Sequence, residues 1–468
     1  MKKMKKKIMA ILLAVLAGLP LFACGDNGGG NGSGNGSGNV PKGAPDYSAD
    51  ISSKVMEIGG WVSPPQGNWG GRGNPDFVTQ ERFDEIAEAG LNSIIQIYYE
   101  WNPNAPDSKT IKALEYAHNA GIKMYVRHTG LDAMIDETPE YLQTWAENYR
   151  NLPAFAGHMA TDEPSADRYD NLALVKTIYE QAFPGKTFYV NLFPALAGSR
   201  QTGRSKYEDY ISEYISKLNP DFLSFDNYPL LTDGFGTPEL TGDYLYNLEI
   251  VANQTKAAGI PFWDFVQAMS YDGSTRMPNL EELRWLIYSS MAYGVQGVQY
   301  FCYWTPLEFA GDEDSKAALI TKDGRRTPTY DYAKTINAEL AAFDHVYLNY
   351  EWQGTMTFVG TKNVTGMNKN FKMLKTPLAS SPRIKSLTAE QDTIVGAFKD
   401  KDGYDGFLVQ NFADATYKKD DAVSITFNNA DKAILYRKGQ PETVALTNGV
   451  CNLTLEPGEG AFIIPIQN

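Results

Sequence analysis

From Val55 onward, short runs of apolar and β-branched residues alternate with longer stretches in which apolar positions recur every three or four residues. The short runs predict strands at 55–62, 93–99, 123–128, 155–161, 187–192, 222–228, 261–268 and 297–304. Between them the 3.6-residue period predicts helices at 81–89, 109–119, 141–151, 169–182, 207–218, 244–258 and 280–293, with one more at 330–343. Gly90, Gly121, Gly259 and Gly294 stand just past four of these helices, where a stop is expected. A strand that feeds a helix and then another strand calls for a parallel sheet, and eight such units predict closure into a (β/α)8 TIM barrel over residues 51–345. The alternative, an open doubly wound sheet, wants a glycine-rich phosphate turn after its first strand. The turn here, Pro64, Pro65, Gln66, Gly67, Asn68 and Trp69, has none.

After the last helix the texture changes to short alternating runs at 354–359, 393–398, 406–410, 422–427, 433–437, 442–446, 451–455 and 460–465. Turn residues at short intervals between them predict a small antiparallel β-sandwich over 346–468. At the other end, Met1 to Lys7 carries five lysines, an almost wholly apolar run follows, and Leu21, Phe22 and Ala23 precede Cys24. Residues 1–24 thus resemble a bacterial lipoprotein signal with Cys24 as the lipidated residue, which implies an exported protein anchored to the outer membrane and facing outside. Residues 25–50 open with a Gly, Asn and Ser stretch that cannot bury a core, and they read as a flexible tether.

Hydrophobic residues make up 43% of the sequence, charged residues 21%, and the formal net charge is -14. An acidic surface repels phosphate backbones, so a nucleic-acid partner is not expected and a neutral or weakly charged ligand fits better. With Cys24 assigned to lipid, Cys302 and Cys451 remain, far apart in sequence, and are expected to be free thiols. Composition leaves the oligomeric state open.

A barrel does its chemistry at the C-terminal ends of its strands. The residues expected there are Trp61 from the first strand; Tyr98, Tyr99, Glu100 and Trp101 from the second; Arg127 and His128 from the third; and Asp162 and Glu163 from the fourth. The remaining strands supply Asn191; Asp226, Asn227 and Tyr228; Asp264 and Gln267; and Tyr303 and Trp304. Sugars present flat C–H faces and rings of hydroxyls, which aromatic plates and bidentate polar groups match. The set therefore predicts carbohydrate binding at Trp61, Tyr98, Trp101, Arg127, His128, Asp162, Asn191, Tyr228, Gln267, Tyr303 and Trp304.

An acid ending strand four, Asp-Asn-Tyr-Pro at 226–229, Tyr303-Trp304, and the run Asp323 to Tyr330 before the last helix resemble the clan A glycoside hydrolases. Within that clan the chain is most similar to proteins near the family 42 β-galactosidases, which also carry a sandwich after the barrel. The hairpin-like Pro457, Gly458, Glu459, Gly460, Ala461 and Phe462 adds to the likeness. The resemblance implies that Glu163 is the acid/base, giving a proton to the departing glycosidic oxygen. It also implies a Glu nucleophile at the end of strand seven, where this chain has Gln267. An amide cannot attack an anomeric carbon as a carboxylate does. Three accounts stay open: Asp226 is the second carboxylate, Asp264 is, or the barrel binds glycan without cleaving it.

No cofactor or metal is expected. His118, His128, His158 and His345 lack ligand spacing, the acidic run at 311–314 lacks a calcium-loop pattern, and no Gly-x-Ser-x-Gly elbow is present.

Overall fold

The computed structural model describes residues 41–467 except 100, 101, 103, 234–236, 272, 273 and 309–313. The signal segment with Cys24, most of the tether, Glu100, Trp101 and most of the acidic run at 311–314 lie outside the described residues. Among the described residues, no helix is long and apolar enough to cross a membrane.

Eight parallel strands form the barrel: β1 (Glu57–Gly60), β2 (Ser93–Ile95), β3 (Lys123–Arg127), β4 (Phe155–Asp162), β5 (Thr187–Leu192), β6 (Leu223–Asp226), β9 (Phe262–Gln267) and β10 (Gly297–Phe301). Their order is β1-β10-β9-β6-β5-β4-β3-β2. The seam between β2 and β1 is closed by Trp61 pairing with Ile95 and by Ser63 N donating to the Ile95 carbonyl at 3.0 Å. A two-stranded ribbon, β7 (Leu230–Thr232) and β8 (Pro238–Leu240), stands over the mouth side after β6.

The helices begin and end as the side chains direct. Ser108 Oγ accepts from Ile111 N, and Asn279 and Glu282 cap each other reciprocally at 2.8 and 3.1 Å. Gly90, Gly121, Gly259 and Gly294 all take positive φ, the conformation that lets a helix stop without a Cβ clash.

The C-terminal part is a sandwich of a six-stranded and a three-stranded antiparallel sheet. The larger sheet runs β11-β13-β14-β19-β16-β17, made of Tyr350–Phe358, Thr393–Asp400, Asp405–Asn411, Gly460–Ile466, Lys432–Arg437 and Gln440–Ala445. The smaller runs β12-β15-β18, made of Ile384–Ala389, Asp421–Phe427 and Val450–Leu455. Strand side chains alternate between faces, and in β19 the two faces go to different cores. Phe462, Ile464 and Ile466 join the core under the barrel helices, while Ala461 and Ile463 join the sandwich core. The helix Leu280–Ala292 is correspondingly buried at every position from Glu282 to Ala292. Gln410 Nε2 donates to its Trp285 carbonyl at 2.8 Å and Thr355 Oγ1 to its Ala292 carbonyl at 2.7 Å.

Two expectations change. Residues 42–50, read as the end of a tether, are held: Gly43 N donates to the Gln467 carbonyl at 2.8 Å and Tyr47 OH to Asp400 at 2.7 Å. Strand β12 is not expected from the sequence, because its Lys385, Ser386 and Thr388 leave it too polar to show an alternating run. Cys302 and Cys451 are buried free thiols.

Candidate active site

Three neighbouring strands supply the polar floor of the mouth. Asp162 of β4 pairs in register with Asn191 of β5, and Asn191 with Ser224 of β6. Asp226 lies two residues beyond Ser224, on the same face and one step nearer the opening. The β4–β5 register shifts between Met159 and Thr161, an extra residue of the kind that re-aims the side chains after it. Below that shift Gly157 has φ +148, and a Cβ there would lie 2.1 Å from the Thr187 carbonyl oxygen, so glycine alone lets the strands approach. Glu163 then enters the left-handed region at φ 46, with its N donating to the Asn191 carbonyl at 2.8 Å. Such a conformation is uncommon for a residue with a side chain and concentrates at functional sites.

These residues face a cavity of about 370 Å³, within the size range of small-molecule sites. Asp162, Glu163, Asn191, Asp226 and Gln201 give it polar groups, and Trp61, Phe193, Tyr228, Phe265, Tyr271 and Phe301 give it aromatic walls. Tyr228 lies 5.0 Å from Phe301 and 5.6 Å from Tyr271 between ring centres, and Trp61 meets Phe265 edge-on at 5.9 Å. No cation lines the cavity among the described residues. The undescribed stretches within 41–467 contain no Lys, Arg or His either.

Glu163 and Asp226 are in hydrogen-bond contact through their carboxyl groups. Asn191 Nδ2 donates to Asp226 Oδ1 at 2.9 Å and to Asp162 Oδ1 at 3.2 Å. Burial, and then the charge of Asp162, push Glu163 up to about 7 against the hydrogen bond with Asp226. Burial, then Glu163 and Asp162, hold Asp226 well above the usual carboxylate range, with the Asn191 bond opposing. Burial raises Asp162 too, countered by Asn191 and Arg127. Like charges in contact cannot both ionise cheaply, so the pair retains a proton at neutral pH.

The cavity gathers Trp61, Asp162, Glu163, Asn191, Asp226 and Tyr228 from the expected set. Arg127 and His128 line an adjoining hollow of about 190 Å³ that shares Asp162, with His128 stacked on Trp145 at 3.8 Å. Tyr98 is buried beside Trp69 and donates to Glu308.

Four expectations need correction. Asp264 pairs with Phe225 on the face turned to the helices, where Ser290 Oγ donates to it; Phe265 takes the cavity side. Gln267 is fully buried, its amide accepting from Leu230 N at 3.0 Å and donating to the Leu230 and Arg276 carbonyls at 3.0 and 2.7 Å. It locks the β7 loop and does not face the cavity. Tyr303 and Trp304 are also fully buried, Trp304 against Phe77 at 4.6 Å. Strand β10 stops at Phe301, three residues before its expected end, so Phe301 holds the place assigned to them. Phe193, Phe265, Tyr271, Phe301 and Gln201 were missed. Reading β10 as ending at Phe301 would have found one of them.

Among the described residues, no group of three or more His, Cys, Asp or Glu is placed to hold a metal ion.

The sequence matches no known protein family and no curated protein. Solved structures do resemble it. A family 5 glycoside hydrolase from Bacteroides vulgatus aligns over 88% of this chain and 89% of its own, at 12% identity and a TM-score of 0.51. A β-galactosidase from the psychrophilic Marinomonas ef1 aligns over 62% of this chain at 12% identity and a TM-score of 0.42, and the match spans 60% of its length. An Anoxybacillus α-amylase aligns over 91% of this chain and 99% of its own, at 11% identity and a TM-score of 0.49. At such identities the likeness is one of fold, and with the Bacteroides hydrolase it extends over most of both chains.

Proposed function

We propose that the chain is a glycoside hydrolase that cleaves an extracellular oligo- or polysaccharide, with Glu163 as general acid/base and Asp226 as its partner carboxylate. The observation that carries this reading is that Glu163 and Asp226 line the same aromatic-walled cavity and each bears on the other's ionisation. Over the neutral range such a pair holds one acid and one carboxylate, the two forms that glycosidic cleavage requires. The acid protonates the departing oxygen as the bond to the anomeric carbon breaks, the carboxylate stabilises the positive charge that develops there, and water then adds to that carbon, its proton returning to Glu163. Asp226 is held by Asn191, so the longer Glu163 side chain is the one that swings aside when a sugar enters. With three acids and no lining cation, the sugar at this position carries no anionic group. Arg127 and His128, in the adjoining hollow, meet a neighbouring unit of the chain. Lipidation at Cys24, supported by the sequence of the first 24 residues, would hold the enzyme at the outer membrane facing its substrate.

Replacing Glu163 by Gln tests the reading against a panel of aryl glycosides and polysaccharides. Turnover should fall by about 10²–10⁴-fold while affinity persists, and undiminished turnover removes the assignment. A second reading, a glycan receptor without turnover, is favoured by β9, which brings no acid to the cavity because Asp264 faces the helices and Gln267 is tied to its loop. Saccharide binding without product from the unaltered protein would establish it.

A further inference from the structure

We infer that Ser224 and Tyr189, buried beneath the cavity, are positioning residues that fix the Asn191 amide as a donor to both Asp162 and Asp226. The inference rests on the reading of these acids as the reacting groups, and it concerns two side chains that touch no substrate. Both are fully buried and neither lines the cavity.

The donors and acceptors available to these groups admit one orientation. Asn191 Oδ1 lies 2.9 Å from Ser224 Oγ, and Ser224 Oγ lies 3.1 Å from Tyr189 OH. An amide carbonyl only accepts, so the Ser224 hydroxyl gives it its single hydrogen. Ser224 can then only accept from Tyr189, which donates. The two N–H groups of Asn191 are left for Asp162 Oδ1 and Asp226 Oδ1. Each member is satisfied with the chain running one way, from Tyr189 through Ser224 and Asn191 to the acids.

Turned over, the Asn191 carbonyl would face two carboxyl oxygens and its N–H groups would face a hydroxyl. That arrangement demands protons on Asp162 and Asp226. Amide orientation and acid protonation are therefore one choice, and Ser224 and Tyr189 make it. Because Oδ1 of Asp226 accepts from Asn191, its other oxygen is left to face Glu163.

The Tyr189 hydroxyl cannot turn away. Its ring is packed edge-on against Tyr125 at 5.1 Å and Trp263 at 5.8 Å. The placement comes from strand periodicity: Tyr189 stands two residues before Asn191, and Ser224 two before Asp226, so all four share the inward face.

The test reads protonation directly, on the full-length protein, by infrared difference spectroscopy of the carboxylic-acid band across pH. Glu163→Gln and Asp226→Asn identify which part of the band belongs to the pair. In Ser224→Ala the midpoint of the pair should rise by about one pH unit, the loss of roughly one charge-favouring hydrogen bond. Tyr189→Phe should move it in the same direction by less, and both variants should unfold at pH 5 within a few degrees of the unaltered protein. A folded Ser224→Ala protein with an unmoved midpoint overturns the inference. If Ser224→Ala fails to fold, an unmoved midpoint in Tyr189→Phe overturns it instead. A protein that titrates as expected but hydrolyses no glycoside sinks the hydrolase reading and leaves this one standing.

Discussion

Glu163 follows the last residue of β4 and Asp226 ends β6, with β5 between the two strands, yet their carboxyl groups meet. The contact sets a pH dependence with a definite sign. Glu163 ionises near pH 7 in the folded chain against 4.5 ordinarily, so between those values the folded protein holds more protons than the unfolded one. Stability from this group is therefore complete below about pH 4.5 and is lost as pH rises toward 7. Glu163→Gln should raise the melting temperature relative to the unaltered protein at pH 8 and change it little at pH 4. Hydrolysis should decline above about pH 7 as the acid form disappears. Melting curves and rate profiles at matched ionic strength check both.

Asp264 should be dispensable for turnover. It is buried against the helix Leu280–Ala292, and burial pushes it up to about 8, so it is already neutral at pH 7. Asp264→Asn keeps the acceptor for Ser290 and should leave kcat/KM within about two-fold. Above pH 8 the variant should melt higher than the parent. A collapse of activity in a folded variant would return Asp264 to the mechanism.

Gln267→Glu tests whether a carboxylate at the end of β9 can be recruited. The amide nitrogen donates to two carbonyls, and a carboxylate there would face both with no hydrogen to offer. Destabilisation of about 3 kcal/mol and no gain in rate are expected, measured by denaturant unfolding and by turnover.

Gly157→Ala should cost more than either. A methyl group 2.1 Å from the Thr187 carbonyl oxygen, at φ +148, cannot be relieved by rotating a side chain. The strands would have to part, with a loss above about 3 kcal/mol. Soluble yield and melting temperature read the effect, and an unchanged melting temperature would contradict the close β4–β5 approach.

The barrel was legible because eight strands and their helices each repeat a local pattern, and helix stops such as Gly121 take the positive φ their position requires. Asp162, Glu163, Asn191 and Asp226 were legible because β4, β5 and β6 end within a residue or two of where their apolar runs end. The far wall was not. Strand β10 stops at Phe301 although the apolar run continues to Trp304, and Cys302, Tyr303 and Trp304 are buried in the interior. Gln267 sits where the strand pattern puts it, but the loop that covers it comes from residues 230 and 276, a meeting that periodicity does not encode. Asp264 illustrates a third limit: a strand covered on both faces is apolar throughout, so alternation cannot say which side an acid takes.

The helix Leu280–Ala292 is covered by barrel on one side and by the large sheet of the sandwich on the other. A gene truncated after residue 345 would therefore release a protein with a greasy flank facing water, prone to clump before any assay could be run. Asking whether the terminal module itself binds glycan therefore calls for point changes on its outer surface, with both halves of the molecule kept together.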